Sequence, residues 1–185
     1  MSKAVLISIK PEWCELIALG AKTIEIRKTK PKLEMPFKCY IYCTEPKRSG
    51  DIFLVGGEHP VQGNGKVIGE FVCDRIHRIA IIDDECVDVV DCNTACLSSR
   101  EILDYANGNP LYGWHISDLV IYDEPRELSD FFVKGFCSTE ECEKCKYHDG
   151  IDTWCLLPPS CDDEGIKPLF KAPQSWCYVE ESDNV

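Results

Sequence analysis

The sequence has no long hydrophobic run. Its longest apolar stretches are about half a dozen residues, whereas a membrane-spanning helix needs about 20. The first ten residues also contain too short an apolar segment for a secretory signal peptide. We therefore expect a cytoplasmic protein with no membrane partner. The 185 residues, 44% of them hydrophobic and 28% charged, are enough for a single domain (1–185) with a substantial core.

Positive charge is also scarce, because 32 acidic residues outnumber 20 basic ones and give a net charge of −12. Proteins that bind nucleic-acid backbones without specificity need clustered Lys and Arg, so this balance argues against broad, non-specific binding. Residues 22–38 differ from the rest, since six basic and two acidic residues give them a local charge of +4 and leave −16 elsewhere. An acidic patch follows later, which we expect to be a solvated loop: Asp83, Asp84, Glu85, Asp88 and Asp91.

Several familiar catalytic and nucleotide-binding signatures are missing. The glycines at positions 56–57 and 63–65 lack the lysine and the strand-to-helix context of a phosphate-binding loop. No Ser/His/Asp motif is recognisable, and the four histidines are scattered along the chain. No internal repeat is present, and strands do not alternate with helices. The pattern therefore argues against a parallel α/β fold.

The patterns that are present predict a mainly β fold. Pro11 suits the first turn of a helix that Gly20 can end, and Ser98 with Glu101 forms a capping box for a second helix through Ala106. β-branched and alternating apolar segments predict strands at residues 4–9, 38–44, 66–73, 75–82, 114–122 and 175–180. We predict the α+β class: a small mixed β-barrel of five to seven strands with two or three short helices outside it.

One short strand carries most of the chemistry that the sequence offers. Residues 20–28 read Gly-Ala-Lys-Thr-Ile-Glu-Ile-Arg-Lys. Because side chains alternate along a strand, Ile24 and Ile26 are expected to face the core while Thr23, Glu25 and Arg27 share the opposite face. Two interpretations remain open. The pair is either an exposed surface ion pair that contributes about 0–1 kcal/mol to stability, or part of a ligand site in which the Glu25 carboxylate accepts and the forked Arg27 guanidinium donates hydrogen bonds.

The 13 cysteines suggest two roles. Those in apolar strand segments, such as Cys39, Cys43, Cys73 and Cys177, are expected to act as small hydrophobic residues in a reducing cytosol. A second group has spacing consistent with a structural zinc site, with free thiols as the alternative: Cys137, Cys142, Cys145, His148, Cys155 and Cys161. We expect residues 137–171 to be a Cys-rich insertion outside the barrel, and no other cofactor is required.

The spacing Gly20-x-Lys22-x-x-Glu25-x-Arg27, after a strand and a helix, resembles the signature of ASCH domains. These domains are relatives of the PUA and EVE/YTH-like RNA-binding folds. Further blocks between about residue 4 and residue 181 resemble ASCH-containing proteins of gut bacteria and their phages, which also suggests a phage or mobile-element origin. The blocks begin at Ile7, Gly69, Trp114, Leu128 and Ala172. The resemblance implies a PUA-like barrel.

The resemblance also implies that the charged motif lines a cleft for RNA or a modified nucleobase. Lys22 and Arg27 would donate to phosphate or base acceptors, and Glu25 would accept from an amino group. Trp13 and Trp176 are the best candidates for rings that stack on a base. The predicted binding residues are Lys10, Trp13, Lys22, Glu25, Arg27, Lys28, Glu70, Trp114, His115, Ser175 and Trp176.

An enzymatic alternative follows from the same resemblance. Some small ASCH proteins resemble amidohydrolases that deacetylate N4-acetylcytidine with a motif lysine, a threonine nucleophile and a glutamate. This chain keeps Lys22 but has Glu25 where the threonine is expected, and Thr23 lies two residues earlier. In this alternative Lys22 activates Thr23 or a water, with Glu25 or Glu70 as the partner. We expect binding rather than catalysis.

Overall fold

The structure is a computed structural model that describes residues 3–46, 52–56, 60–83, 86–138, 140–141 and 165–181. These residues form a mainly β fold with three short helices, which confirms the predicted fold class. None of the helices in the described ranges is long and apolar enough to span a membrane. The helices are α1 (Pro11–Ala18), α2 (Val89–Ala95) and α3 (Ser99–Ala106). The strands are β1 (Lys3–Ile9), β2 (Ile24–Arg27), β3 (Phe37–Cys43), β4 (Leu54–Val55), β5 (Val61–Gln62), β6 (Lys66–Cys73), β7 (Ile76–Arg78), β8 (Ile81–Asp83), β9 (Cys86–Val87), β10 (Tyr112–His115), β11 (Ser117–Arg126), β12 (Phe132–Lys134), β13 (Ile166–Pro168) and β14 (Trp176–Glu180).

The larger sheet has seven strands in the order β11-β6-β3-β1-β14-β12-β13. The central pair, β1 and β3, is parallel, with Val5 opposite Cys39 and Ile9 opposite Cys43. The other strand pairs of this sheet are antiparallel. Because β1 and β3 run in the same direction, their carboxyl ends meet at one edge of the sheet, where chain segments that follow them leave a concave surface.

Strand β1 is buried on both faces, which explains its nearly continuous apolar sequence. Val5, Ile7 and Ile9 pack into a cluster with Cys14 and Ile17 of α1. The alternate residues of β1, such as Leu6, pack into a second cluster on the opposite face. Burial of each large aliphatic side chain stabilises the fold by about 1.5–3 kcal/mol, so this strand anchors both halves of the core.

The smaller sheet has the order β2-β10-β7. Ile24 and Ile26 of β2 are 5% and 3% exposed and pack against Ala95 of α2 and Ile102 and Ala106 of α3, as the alternation of β2 predicted. This cluster of aliphatic side chains fixes the two helices against the back of β2, leaving the other face of the strand towards the edge where β1 and β3 end.

The expectation of a solvated acidic loop is wrong for Asp88, which caps α2, and for Asp91, which lies in the first turn of that helix. The Asp88 carboxylate accepts a hydrogen bond from the backbone N–H of Val90 at 2.8 Å and caps the helix. Asp91 is only 7% exposed, and its carboxylate contacts His77 Nε2 at 2.8 Å and accepts from the backbone N–H of Ala80. Acidic residues in the first turn favour a helix electrostatically, so the charges begin a helix here instead of repelling one another in solvent.

Two predicted strands are divided in the structure. The predicted strand at 114–122 forms β10 in the smaller sheet and β11 in the larger one, with Ile116 between them. Asp118 adopts a left-handed conformation at φ 47°, which bends the start of β11. The predicted strand at 75–82 likewise forms β7 and β8. An apolar run indicates extended backbone, but it carries little information about which neighbour each half pairs with.

The predicted Cys-rich insertion, 137–171, includes residues that belong to the larger sheet. Strand β13 pairs with β12, with Val133 opposite Lys167, and the backbone N–H of Leu169 donates to Phe131 at 2.8 Å. The predicted zinc ligands after Cys137 lie outside the described residues, so the zinc site stays a prediction: Cys142, Cys145, His148, Cys155 and Cys161. Within the described residues no group of His, Cys, Asp and Glu side chains is arranged to hold a metal.

The strand cysteines behave as predicted. Cys39, Cys43 and Cys73 are fully buried free thiols in the main apolar cluster. Burial raises the pKa of the Cys73 thiol to about 12 and also raises that of Cys39. Cys39 and Cys73 therefore remain neutral at physiological pH, and all three side chains contribute apolar contacts to the core.

We expect Gly69→Ala to destabilise the protein by about 1–3 kcal/mol through overpacking. A Cβ at Gly69 of β6 would overlap the backbone carbonyl oxygen of Val120 and lie 3.1 Å from the Cα of Ile121 on β11. Backbone atoms in a paired strand move less easily than a side chain. Urea denaturation followed by circular dichroism measures the effect, with Val120→Ala as the control on the partner strand.

The control should change the free energy of unfolding by about 0.5 kcal/mol or less, because Val120 is 50% exposed. Equal stability of Gly69→Ala and the unsubstituted protein would contradict the close approach of β6 and β11.

Candidate functional site

A cleft of about 790 Å³ lies at the edge where β1 and β3 end. One wall comes from Ser8 of β1 and from Trp13 of α1, and another from Tyr42 and Thr44 at the end of β3. The exposed side of α3 and residues 172–175, which precede β14, close the remaining sides. Open α/β folds also bind ligands beyond the carboxyl ends of parallel strands, where diverging segments leave space.

The floor of the cleft is formed by three buried charged side chains, which we call the triad: Lys22, Glu25 and Arg27. They are 2%, 4% and 9% exposed. The Glu25 carboxylate lies between the two cations, with Oε2 at 3.3 Å from Lys22 Nζ and Oε1 accepting a hydrogen bond from Arg27 Nη1. The interpretation as an exposed surface ion pair is therefore wrong, because segments remote in the sequence cover this face of β2.

Backbone carbonyls provide further partners for the two cations of the triad. Lys22 Nζ donates to the carbonyl of Ala95 at 2.7 Å. Arg27 Nη2 donates to the carbonyl of Ser8 at 2.6 Å. Ala95 is the last residue of α2, where carbonyls lack partners within the helix and carry the negative end of the helix dipole. The triad therefore connects β2 to α2 on one side and to β1 on the other.

The triad keeps hydrogen-bonding capacity. Among the described residues, neither Glu25 Oε2 nor Arg27 Nε has a hydrogen-bond partner, although both atoms are buried and Oε2 lies in the ion pair 3.3 Å from Lys22 Nζ. A buried polar atom without a partner typically costs about 1–3 kcal/mol. The floor thus combines an acceptor and a donor, and its net charge is +1 from two cations and one carboxylate. Such a floor suits a planar polar ligand that offers complementary groups.

Aromatic rings lie at both sides of this floor. The Trp13 ring centroid is 5.4 Å from Lys22 Nζ, within the range of a cation–π interaction. Tyr105 of α3 lines the cleft and is 40% exposed, and Lys28 Nζ lies 5.1 Å from its ring centroid. Tyr42 also lines the cleft, and burial raises the pKa of its phenol. The exposed ring of Tyr105 is therefore available to stack on a ligand.

Six of the predicted binding residues meet in the cleft, and five do not. Trp114 is fully buried in the core, between Phe37 and Trp176. The indole N–H of Trp176 donates to Thr29 Oγ1 at 3.0 Å. The residues that line the cleft are Lys10, Trp13, Lys22, Glu25, Arg27 and Ser175.

The remaining predicted residues have other partners. Glu70 lies 3.3 Å from Lys38 Nζ and accepts from the Tyr122 hydroxyl at 2.6 Å, and it does not line the cleft. His115 Nδ1 contacts Asp74 at 2.6 Å, and this hydrogen bond lowers the pKa of the Asp74 carboxyl. Lys28 lies beside the ring of Tyr105 instead of within the cleft.

Thr23, the predicted nucleophile of the enzymatic alternative, does not line the cleft either. Its backbone N–H donates to the Thr94 carbonyl of α2, and its carbonyl accepts from the N–H of Ile116. These two hydrogen bonds hold Thr23 between α2 and the start of β11, while the cleft lies on the face that carries Glu25 and Arg27.

Several residues of the cleft were not predicted from the sequence. Thr44, Glu45, Glu101, Asp104 and Tyr105 all line it. A signal existed for α3, because its capping box predicted a helix whose polar face carries Glu101 and Asp104. Nothing in the sequence indicated that this face approaches β2, since that placement depends on the packing of Ile102 and Ala106 against Ile24 and Ile26.

Comparison with known proteins supports the fold. No family model and no curated protein matches this sequence. The structure is similar to the crystal structure of an ASCH protein from Zymomonas mobilis, with a TM-score of 0.55 and 17% identity over 96% of this chain and 88% of that chain. A Tyr-to-Phe variant of the Zymomonas mobilis protein gives a TM-score of 0.55 and 17% identity over 97% and 92% of the two chains. A Ser-to-Ala variant of the same protein gives a TM-score of 0.54 and 17% identity over 96% of this chain and 89% of that chain. The chain therefore has the fold of these ASCH structures, as the resemblance predicted.

We expect Glu25→Gln to lower the free energy of unfolding by about 3–5 kcal/mol, because it leaves two buried cations without a counter-charge. Chemical denaturation measures the loss. Glu70→Gln is the matched control, since Glu70 also pairs with a lysine but its side chain is 26% exposed, against 5% for Glu25.

The control substitution should cost about 1.5 kcal/mol or less, because water reaches the Glu70 pair. Similar losses for the two variants would show that burial does not distinguish the triad from an ordinary ion pair.

Proposed function

We propose that this chain is a binding module for RNA or a modified nucleobase, and that one base of the ligand enters the cleft. The observation that carries the proposal is the buried, charge-compensated triad at the floor of an open cleft. A donor and an acceptor without hydrogen-bond partners, Arg27 Nε and Glu25 Oε2, belong to that floor. Polar groups placed in this way favour a ligand with complementary edges over one with charge alone.

The distribution of charge supports recognition of a base over recognition of phosphate. Both cations of the triad already face the Glu25 carboxylate, so they act as directional donors and not as an anion site. Glu25 accepts from an amino group of the base, while Arg27 donates to a ring nitrogen or carbonyl. Tyr105 and Trp13 provide ring faces on either side, and stacking contributes about 1–3 kcal/mol per base.

The fold and the segment after β2 agree with this proposal. A PUA-like fold is compatible with RNA recognition, although the fold alone does not determine function. Lys28 and Lys30 are exposed, and their ammonium groups lie 5.1 and 5.7 Å from the ring centroids of Tyr105 and Tyr112. In an RNA ligand these lysines supply contacts to phosphates outside the cleft.

Binding is favoured over hydrolysis by the environment of Lys22. Lys22 Nζ is already engaged by two protein groups, since it donates to the carbonyl of Ala95 and lies 3.3 Å from Glu25 Oε2. Thr23 and Glu70, the other candidates for catalysis, do not line the cleft. These contacts support a protein that holds its ligand without cleaving it.

We expect Arg27→Lys to weaken binding roughly 10- to 100-fold, the loss that corresponds to about 1.5–3 kcal/mol for a forked, charge-assisted contact. The substitution keeps the positive charge beside Glu25 and so limits damage to the fold. Binding is measured by fluorescence anisotropy or calorimetry with short RNA oligonucleotides and single nucleosides, including N4-acetylcytidine.

Arg75→Lys is the matched control, because Arg75 is exposed and does not line the cleft. Circular dichroism checks that both variants are folded. Unchanged affinity in a folded Arg27→Lys variant would contradict a role for the guanidinium in recognition.

We expect no release of acetate or cytidine when the pure protein is incubated with N4-acetylcytidine. The readout is chromatography of the nucleosides over time, with Lys22→Ala in parallel. Turnover by the unsubstituted protein that disappears in Lys22→Ala would establish the enzymatic alternative, and Thr23→Ala would then test the nucleophile.

A further inference from the structure

The charged side chains that line the cleft lie at two levels. The triad is buried and carries a net charge of +1. Four other charged residues line the cleft and are exposed, and we call them the rim. The rim consists of Lys10, Glu45, Glu101 and Asp104. Three carboxylates and one ammonium give the rim a net charge of −2, opposite in sign to the floor.

The negative charge of the rim is supported by local contacts. The Glu101 carboxylate accepts from the backbone N–H of Ser98 at 2.9 Å and from its hydroxyl at 2.6 Å, and these bonds lower the pKa of Glu101. Asp104 pairs with Arg100 at 3.1 Å, but the two side chains are 63% and 85% exposed, so the pair is weak. The single cation of the rim, Lys10, lies 3.4 Å from Glu12.

This arrangement distinguishes the parts of a nucleotide. A neutral base passes the rim without electrostatic cost and reaches the donors of the floor. A phosphate attached to the ribose remains near the rim, where carboxylates within a screening length of about 8–10 Å repel it. Ribose hydroxyl groups, by contrast, are donors that carboxylates accept well, as in dinucleotide-binding folds. Lys28, although it contacts the ring of Tyr105, does not line the cleft.

We propose that the cleft selects a free ribonucleoside, which enters base first, places its ribose hydroxyls at Glu45 and Asp104, and is bound more tightly than its phosphorylated forms. The inference rests on the proposed function, because it assumes that a base occupies the floor. It assigns to the rim a role in specificity: the carboxylates accept from the sugar and exclude phosphate. Among RNA and nucleoside ligands, it favours the nucleoside.

The test compares each common ribonucleoside and N4-acetylcytidine with its own 5′-monophosphate by calorimetry. We expect the monophosphate to bind roughly three- to tenfold more weakly at low salt. The difference should shrink at high salt, because screening weakens the repulsion. The 2′-deoxynucleoside should also bind a few-fold more weakly than the ribonucleoside, since it has lost one donor to the rim.

The double substitution Glu45→Gln with Asp104→Asn should reduce the difference between nucleoside and monophosphate to less than about twofold. The matched control is Asp123→Asn with Glu124→Gln, which removes two exposed carboxylates of β11 outside the cleft and should leave the difference intact. Glu101 is left unchanged because it caps α3.

The outcomes separate this inference from the proposed function. A monophosphate or an RNA oligonucleotide that binds as tightly as the nucleoside, or more tightly, overturns the inference and leaves the proposed function standing. If the control pair reduces the affinity difference between nucleoside and monophosphate as much as the rim substitutions do, the proposed role of the rim is overturned. If no nucleoside, monophosphate or oligonucleotide binds, both proposals are overturned.

Discussion

The buried triad of Lys22, Glu25 and Arg27 is the interaction on which the rest of the site depends. Lys22 donates to Ala95 at the end of α2 and Arg27 donates to Ser8 of β1, while Glu25 lies between the two cations, so the triad joins three separate segments. Removing charges from water costs several kcal/mol per ion, and apolar side chains of similar volume often stabilise a fold equally well or better. Stability alone therefore does not account for the charged groups, and this is the reason for proposing a polar ligand that contacts them.

Charge compensation also limits the kind of ligand that fits the proposed site. Two cations beside one carboxylate leave little free positive charge, so affinity must come from hydrogen bonds with defined direction and from ring contacts. The other residues that line the cleft agree with this conclusion. Trp13 and Tyr105 present aromatic rings, and the exposed charged residues of the rim are three carboxylates and one lysine. The overall charge of −12 acts in the same direction, because it disfavours non-specific binding of polyanions.

The sequence predicted the local structure of the site well and its surroundings poorly. The alternation of β2 indicated correctly that Ile24 and Ile26 face the opposite side from Glu25 and Arg27. It carried no information on the burial of both faces, because the covering segments, α3 and residues 172–175, lie more than 70 positions away. Trp114 was misplaced for the same reason. The sequence pattern around a tryptophan in a strand is the same whether its side chain faces a ligand or packs in the core. In the structure Trp114 packs in the core and contacts Phe37.

Similarity of fold and similarity of site are separate matters in this chain. The backbone matches an ASCH structure over 96% of its length at 17% identity, so most side chains around the cleft are free to differ between the two proteins. Position 25 illustrates the point. A threonine there would leave Lys22 without its buried counter-charge, whereas Glu25 Oε2 lies 3.3 Å from Lys22 Nζ. The proposed binding role therefore depends on the side chains of the cleft and not on the fold alone.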